Sequence, residues 1–270
     1  MNILEIKNLS VTYTQFDGSI LKALDNVSLD IVSGQTLAVA GESGSGKSTL
    51  ALALLGLINN FGGKITSGSI LFEGLDLLTV NKNILRTVRG GKIAMVFQDP
   101  YSSLNPVLTI GLQITETIKA HNKKLSNKEI VNFALETLEL CTIKNSSRIF
   151  NSYPHQISGG QRQRVAIAMA ICNNPQILIA DEVTTALDVT TQKEIMDLLD
   201  SLKAKLNMSI LLITHNLALA FKRSQRTAIM QNGKIIELQD TTQLFLQPQN
   251  IYTKLLINST PVLGKKVGAN

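Results

Sequence analysis

Residues 41–48, Gly41-Glu42-Ser43-Gly44-Ser45-Gly46-Lys47-Ser48, constrain the fold more tightly than any other part of the chain. They follow an uninterrupted apolar run at 36–40 and precede an apolar, helix-like stretch at 50–58. A glycine-rich turn between a buried strand and a helix lets backbone N–H groups curl around a phosphate, where the helix also presents the positive end of its dipole. Lys47 adds a point charge and Ser48 offers a hydroxyl to Mg2+. Taken alone, the loop specifies a nucleoside triphosphate and nothing narrower.

A strand that is apolar on both faces belongs in a parallel sheet covered by helices. The rest of the chain supplies that sheet. Apolar runs at 93–97, 177–180 and 210–213 alternate with helical patterns, including 191–206, which predicts an α/β fold. Each run ends in polar side chains: Gln98 after the first, Asp181-Glu182 after the second, Thr214-His215 after the third. In open α/β sheets ligands bind at the carboxyl edge of the strands. There Asp181 is placed to hold the Mg2+ shell, and Glu182 to polarise an attacking water. The first third reads as strands at 4–7, 11–13 and 27–31, with a further β segment near 69–72. Residues 109–141 read as helical, and 227–230 with 234–238 form a hairpin around Asn232-Gly233. From about residue 260 the chain is expected to be loosely ordered.

The segment 153–164, Tyr-Pro-His-Gln-Ile-Ser-Gly-Gly-Gln-Arg-Gln-Arg, is the most specific in the sequence. Ser158 is a candidate N-cap, and Gly159-Gly160 expose backbone N–H groups at a helix start, a second anion site. The helix then carries Val165, Ala168, Met169 and Cys172 at core spacing. A second phosphate-type site has a use if it serves the nucleotide of another subunit.

Charge narrows the choice of partner. The net charge is +6, yet residues 1–221 hold 19 basic and 18 acidic side chains, so the excess lies in the last 49 residues. A nearly neutral body gives little affinity for a phosphate backbone. The tail is expected to be a solvated face or a contact for anionic headgroups. Cys141 and Cys172 have no neighbouring cysteine, which excludes a CxxC redox motif or metal knuckle and fits a reducing compartment. The longest apolar stretch, 50–58, is far shorter than the ~20 residues that span a bilayer. The first residues lack the apolar core of a signal peptide. Any membrane association is therefore expected to run through a partner or the surface.

With these motifs in order, the sequence resembles the ATP-binding subunits of ABC transporters over residues 4–240. Lys47 is followed after 51 residues by Gln98, after 60 more by Ser158 and after 23 by Asp181, with His215 lying 33 beyond Glu182. The resemblance implies a P-loop NTPase core, a parallel sheet flanked by helices, with an N-terminal antiparallel β region and a helical insertion. It divides the chain into a nucleotide-binding core at 1–97 and 166–245, a helical subdomain at 98–165, and a tail at 246–270. By position, Tyr13 matches the aromatic that stacks on adenine. Gly41, Ser43, Gly44, Ser45, Gly46, Lys47 and Ser48 match the phosphate loop of an ATP site, with Thr49 beside them on phosphate. Gln98 matches the glutamine that senses Mg2+ and water and faces the membrane subunit. Ser158, Gly160 and Gln161 would reach ATP held by the opposite subunit. Glu182 would be the general base, Asp188 would bridge the dimer, and His215 would contact the γ-phosphate. Val183 stands where relatives of this kind usually have proline, and Ile157 where the signature usually has leucine.

Residues 97–106, the Tyr-Pro-His-Gln before the signature and Asp-Val-Thr at 188–190 are similar to the peptide and nickel importer ATPases, as is the closing segment 248–256. That likeness implies a subunit on the cytoplasmic face of the membrane. It would pair with a second ATPase chain, as a heterodimer or else a homodimer, with two transmembrane permease subunits and an extracellular or periplasmic substrate-binding protein. Peptides, nickel or metal chelates are the implied cargo. The competing class is a soluble ABC-type ATPase acting on nucleic acid or ribosomes, which the neutral body and the lack of a heptad run disfavour.

Overall fold

In the computed structural model, strand β1 (Asn2–Thr14) runs straight through the gap that the sequence predicts between strands at 4–7 and 11–13. Asn8 takes a left-handed φ of 52°, and the register against its neighbour β2 (Ile20–Val32) slips between Ile6 and Leu9. This is a β-bulge, which interrupts the alternation of side chains without ending the strand. Two serines satisfy the displaced amides. The Asn8 N–H donates to Ser28 Oγ at 2.9 Å, and the Asn26 N–H to Ser10 Oγ at 3.0 Å.

The structure describes residues 1–99, 103–185 and 187–260, and the chain divides into two compact units. The first comprises Met1–Asn81 and Leu211–Asn270. Its antiparallel sheet has the order β2-β1-β4-β5, with β4 at Gly63–Phe72 and β5 at Leu75–Asp76. Leu4, Ile6, Leu9, Val11, Leu24 and Ile31 are buried beneath it. A second run of strands, β10-β9-β3-β8, places β3 (Thr36–Ala40) beside β9 (Arg226–Gln231) in parallel, with β10 (Lys234–Asp240) antiparallel to β9. β8 (Ser209–Thr214) lies mostly in this unit. Helices α1 (Lys47–Leu54), α8 (Leu217–Arg223), α9 (Thr241–Leu246) and α10 (Ile251–Ser259) complete it. Helix α1 is shorter than the apolar stretch 50–58 suggests, because Gly56 turns left-handed at φ 61° and a 3-10 turn (Ile58–Phe61) follows. The loose order expected near the end falls on 261–270, outside the described residues.

Arg226 at the start of β9 makes a two-pronged bond to Asp30 of β2, at 2.8 and 3.0 Å. Paired N–H donors of this geometry are about twice as strong as neutral hydrogen bonds, and the guanidinium holds the Asp30 carboxyl below its ordinary range. A carboxylate with a depressed folded pKa stabilises above its unfolded value, near 4, and loses that contribution as pH falls through the folded value. Arg226→Met is therefore expected to cost about 1–3 kcal/mol at pH 7. Urea denaturation should show the gap between variant and parent narrowing below about pH 4.

The second unit, Lys82–Ile210, carries the parallel pair β6 (Ile93–Val96) and β7 (Ile177–Asp181), registered Ile93 to Ile177 and Val96 to Ala180. Around them lie α2 (Lys82–Val88), α3 (Ile110–His121), α4 (Asn127–Leu140), α5 (Ser146–Phe150), α6 (Gly159–Ile171) and α7 (Val189–Leu206). The helical pattern at 109–141 thus resolves into two helices. The break falls where Ser126 starts a new one: its hydroxyl accepts from the Glu129 N–H while the Glu129 carboxylate accepts from the Ser126 N–H, a reciprocal cap. Cys141 and Cys172 are free, and burial pushes both thiols up to about 12, so neither ionises at neutral pH. Among the described residues no helix is long and apolar enough to cross a membrane.

Candidate active site

In the first unit, β3 ends at Ala40 and the chain turns at once into the phosphate loop. Gly41 is forced by space: a Cβ there would lie 2.2 Å from the Met230 carbonyl oxygen of β9. Gly46 is forced by conformation as well, with φ at 107° and the Ala23 carbonyl 2.6 Å from where a Cβ would sit. The loop is pinned from outside by the Gly233 N–H, which donates to the Ser45 carbonyl at 2.9 Å. Helix α1 opens at Gly46 with no side-chain cap and no acidic residue in its first turn, so the positive end of the helix is not neutralised locally.

Lys47 is only 5% exposed, and its ammonium donates to the carbonyls of Gly41 at 2.9 Å and Glu42 at 2.7 Å. The charge is thereby stored inside the curl of its own loop, while Ser43, Gly44 and Ser48 face solvent around it and Ser45 is buried beneath. Thr49, half-buried, follows on the first turn of α1. Tyr13, on β1, packs its ring against Gly63 of β4, where a Cβ would stand 2.7 Å from Cε1. Glycine at 63 is what lets that ring approach the strand so closely. His215 is exposed at the end of β8. The Asn216 N–H donates back to Thr214 Oγ1 at 2.9 Å, and Asn216 caps α8, so His215 sits on a short fixed turn.

The second unit brings Gln98 and Glu182 together. The parallel strands β6 and β7 end side by side, and Gln98 Nε2 donates to Glu182 Oε2 at 3.0 Å. Asp181, the last residue of β7, is 5% exposed. Glu182 has a left-handed φ of 47°, a conformation that costs a non-glycine residue on the order of 1–3 kcal/mol and that clusters at functional sites. It turns the carboxylate away from the direction the strand would have given it. Val183, next in the chain, is buried at 2%. Proline there would bias Glu182 toward extended backbone, and valine removes that bias.

Ser158 caps α6 as the sequence suggests, through a reciprocal arrangement. Its hydroxyl accepts from the Gln161 N–H at 3.3 Å and the Gln161 side chain accepts from the Ser158 N–H at 3.0 Å. The lead-in is stiffened by Tyr153, stacked on His155 at 5.6 Å, and by Arg162, which donates to the Pro154 carbonyl at 2.7 Å. Gly160 lies beside Thr191 of α7, 3.3 Å from a built Cβ to its Cγ2. Asp188 caps that same helix, accepting from the Thr191 N–H at 3.0 Å and hydroxyl at 2.7 Å, and these donors hold its carboxyl below the usual range. Gly160 and Asp188 therefore meet through one threonine, far apart as they are in sequence.

Several side chains around the site escape sequence reasoning. Gln192 donates to the carbonyls of Thr184 and Leu187, both at 2.9 Å, and so staples the turn after Glu182. Buried Gln113 does the same for the segment after Gln98: it accepts from the Asn105 N–H at 2.9 Å and donates to the Leu108 carbonyl at 3.0 Å. Tyr252 of α10 lies by Glu42 of the phosphate loop, and burial, then that carboxylate, pushes its phenol above the ordinary value. Only the pattern of a polar residue at a buried helix position signals such staples, and that pattern is not specific to a site.

A glycine-forced phosphate loop with an internal lysine, and a strand-end carboxylate pair with a glutamine on the second member, define a P-loop ATPase. The chain belongs to the ABC transporter family, whose sequence profile matches residues 24–185, and it is an ATPase of that family. It is 44% identical over 265 residues to the oligopeptide transport ATP-binding protein AppD of Bacillus subtilis (strain 168), covering 98% of this chain and 80% of that protein. It is 43% identical to the dipeptide transport ATP-binding protein DppD of Lactococcus lactis subsp. cremoris, over 98% of this chain and 75% of the relative. Among solved structures, the dimeric post-hydrolysis state of the ATP-binding cassette MJ0796 bound to ADP and Pi matches with a TM-score of 0.77 and 32% identity. That match covers 88% of this chain and 98% of the other. The α/β class and the antiparallel N-terminal region agree with the sequence reading.

Proposed function

We propose that this chain is the ATP-hydrolysing subunit of a peptide importer, working in a pair with a second ATPase subunit beneath two transmembrane permease subunits, on the cytoplasmic face of the membrane. A substrate-binding protein on the outer side would deliver the peptide. The observation that carries the hydrolytic part is the 3.0 Å bond from Gln98 to Glu182 at the end of β7, next to buried Asp181. The named peptide-transport relatives support the cargo, and they favour peptides over the nickel or metal chelates that the motifs alone leave open.

Each residue then has a task. Tyr13 stacks on the adenine, the amides of residues 41–49 hold the β- and γ-phosphates, and Lys47 leaves its loop carbonyls for the phosphate oxygens. Glu182 takes a proton from water as its oxygen bonds to the γ-phosphorus and the bond to the bridging oxygen breaks, releasing inorganic phosphate and ADP. His215 and Gln98 contact the γ-phosphate and the attacking water. Ser158, Gly160 and Gln161 close the open side of the nucleotide held by the partner, and Asp188 bridges the pair. Ser48 of the first unit and, in the second, Asp181 and Gln98 each carry a hard oxygen of the kind Mg2+ takes. A Mg2+ ion takes one or two carboxylates and completes its shell with phosphates and water. When bound there it would neutralise charge on the β- and γ-phosphates.

Cargo is tested by uptake into vesicles containing the assembled transporter, with labelled peptide and nickel compared side by side. ATP-dependent accumulation of peptide is the expected result, and accumulation of nickel alone would overturn the reading. Co-purification of RNA or DNA in place of membrane subunits would count against transport altogether.

A further inference from the structure

The residue that follows the base by three positions has no part in the roles above, yet it touches the base directly. Thr185 Oγ1 lies 3.3 Å from Glu182 Oε2 and 3.0 Å from the Glu182 carbonyl oxygen, and the Thr185 N–H donates to that same carbonyl at 3.1 Å. Gln98 Nε2 reaches the same Oε2 at 3.0 Å. A threonine hydroxyl has one hydrogen, so it divides its time between the backbone and the carboxylate.

We propose that Thr185 is a positioning residue for hydrolysis: with Gln98 it clamps one oxygen of the Glu182 carboxylate and thereby fixes the rotation of the base. The reading rests on Glu182 being that base. Three observations converge on it. Two donors from opposite directions in the sequence meet at one oxygen, which sets the plane of the carboxylate where a single bond would leave it free to swing. The backbone at Glu182 is left-handed, so the side chain leaves the strand end at an angle that needs support. The turn carrying Thr185 is itself stapled by Gln192 through the carbonyls of Thr184 and Leu187. The hydroxyl is thus presented from a fixed frame.

A mislaid catalytic group loses rate before it loses affinity, since substrate binding is carried elsewhere, by the phosphate loop. The test compares Thr185→Val, which keeps the shape and deletes the hydroxyl, with Thr185→Ser, which keeps the hydroxyl, in the full chain purified with its partner subunits. Thr185→Val is expected to lower kcat roughly 10- to 100-fold, with KM for ATP within about twofold. Thr185→Ser is expected to retain kcat and the parental KM for ATP. Parental melting temperature and nucleotide affinity in Thr185→Val assign its loss to the clamp, while a matching loss of both would overturn the proposal in favour of a structural role, as would full kcat in Thr185→Val or failure of serine to rescue. Glu182→Gln is run alongside. If that variant turns over normally, the base assignment falls and the clamp with it. If it is inactive while Thr185→Val is fully active, only the clamp falls.

Discussion

Glu182→Gln is expected to abolish steady-state ATP turnover, by a factor of about 10²–10⁴, with ATP affinity unchanged. The substitution is close to isosteric and keeps a side-chain oxygen at the end of β7. Gln98 Nε2 and the Thr185 hydroxyl can still donate to it, so the local hydrogen bonds survive. What disappears is the capacity to take a proton from water. Because binding is intact and the γ-phosphate is not lost, the ATP-bound pair should accumulate, visible as a nucleotide-dependent shift to the dimer in size-exclusion chromatography. Full turnover in this variant would remove Glu182 from the role of base. The shift to a closed pair is a population shift, limited by how much more tightly ATP binds the closed than the open state. A variant that binds but does not hydrolyse holds that equilibrium at its closed end.

How far the sequence carries this picture depends on the kind of interaction. The phosphate loop is local: three glycines, a lysine and flanking apolar runs within twenty residues determine it, and steric space at Gly41 and Gly46 explains why those positions are glycine. The reciprocal cap at Ser158 and Gln161 is legible for the same reason, since its partners are three residues apart. The bulge at Asn8 was hidden because a strand whose alternation slips by one residue looks like two strands. Asn8 is also the residue type that tolerates a positive φ, a cue too weak alone to predict the slip. The clamp on Glu182 could not be read at all. Gln98 and Glu182 stand 84 residues apart, and their meeting depends on β6 and β7 pairing in one register, Val96 against Ala180. A one-residue slip would turn Gln98 to the other face. Thr185 is an ordinary turn residue in sequence, and the left-handed backbone of Glu182 alone brings the carboxylate back to it. Helix Asn127–Leu140 shows an intermediate case, with its start written in Ser126 and Glu129 but masked by apolar spacing continuous with the preceding helix.

Gly41→Ala is expected to remove nucleotide binding and to lower stability by about 2–4 kcal/mol. The added methyl would meet the Met230 carbonyl oxygen at 2.2 Å and the Met230 carbonyl carbon at 3.2 Å. Both are backbone atoms of β9, which is held parallel to β3 through Ala40 opposite Ile229, so neither side of the clash can retreat without breaking that ladder. The loop must shift instead. Its shift carries away the Gly41 carbonyl that Lys47 now holds at 2.9 Å, and with it the point charge meant for the phosphates. Gly44 is the control: its φ of 78° strains an alanine by about 1–2 kcal/mol, but nothing lies within 4 Å of the new methyl. Gly44→Ala should therefore lose stability without losing the fold of the loop, and retain measurable ATP affinity. Thermal melts with and without ATP separate the two, with ligand-induced stabilisation expected in Gly44→Ala and none in Gly41→Ala. Equal nucleotide stabilisation in both variants would mean that close contact with β9 does not hold the loop in its binding shape.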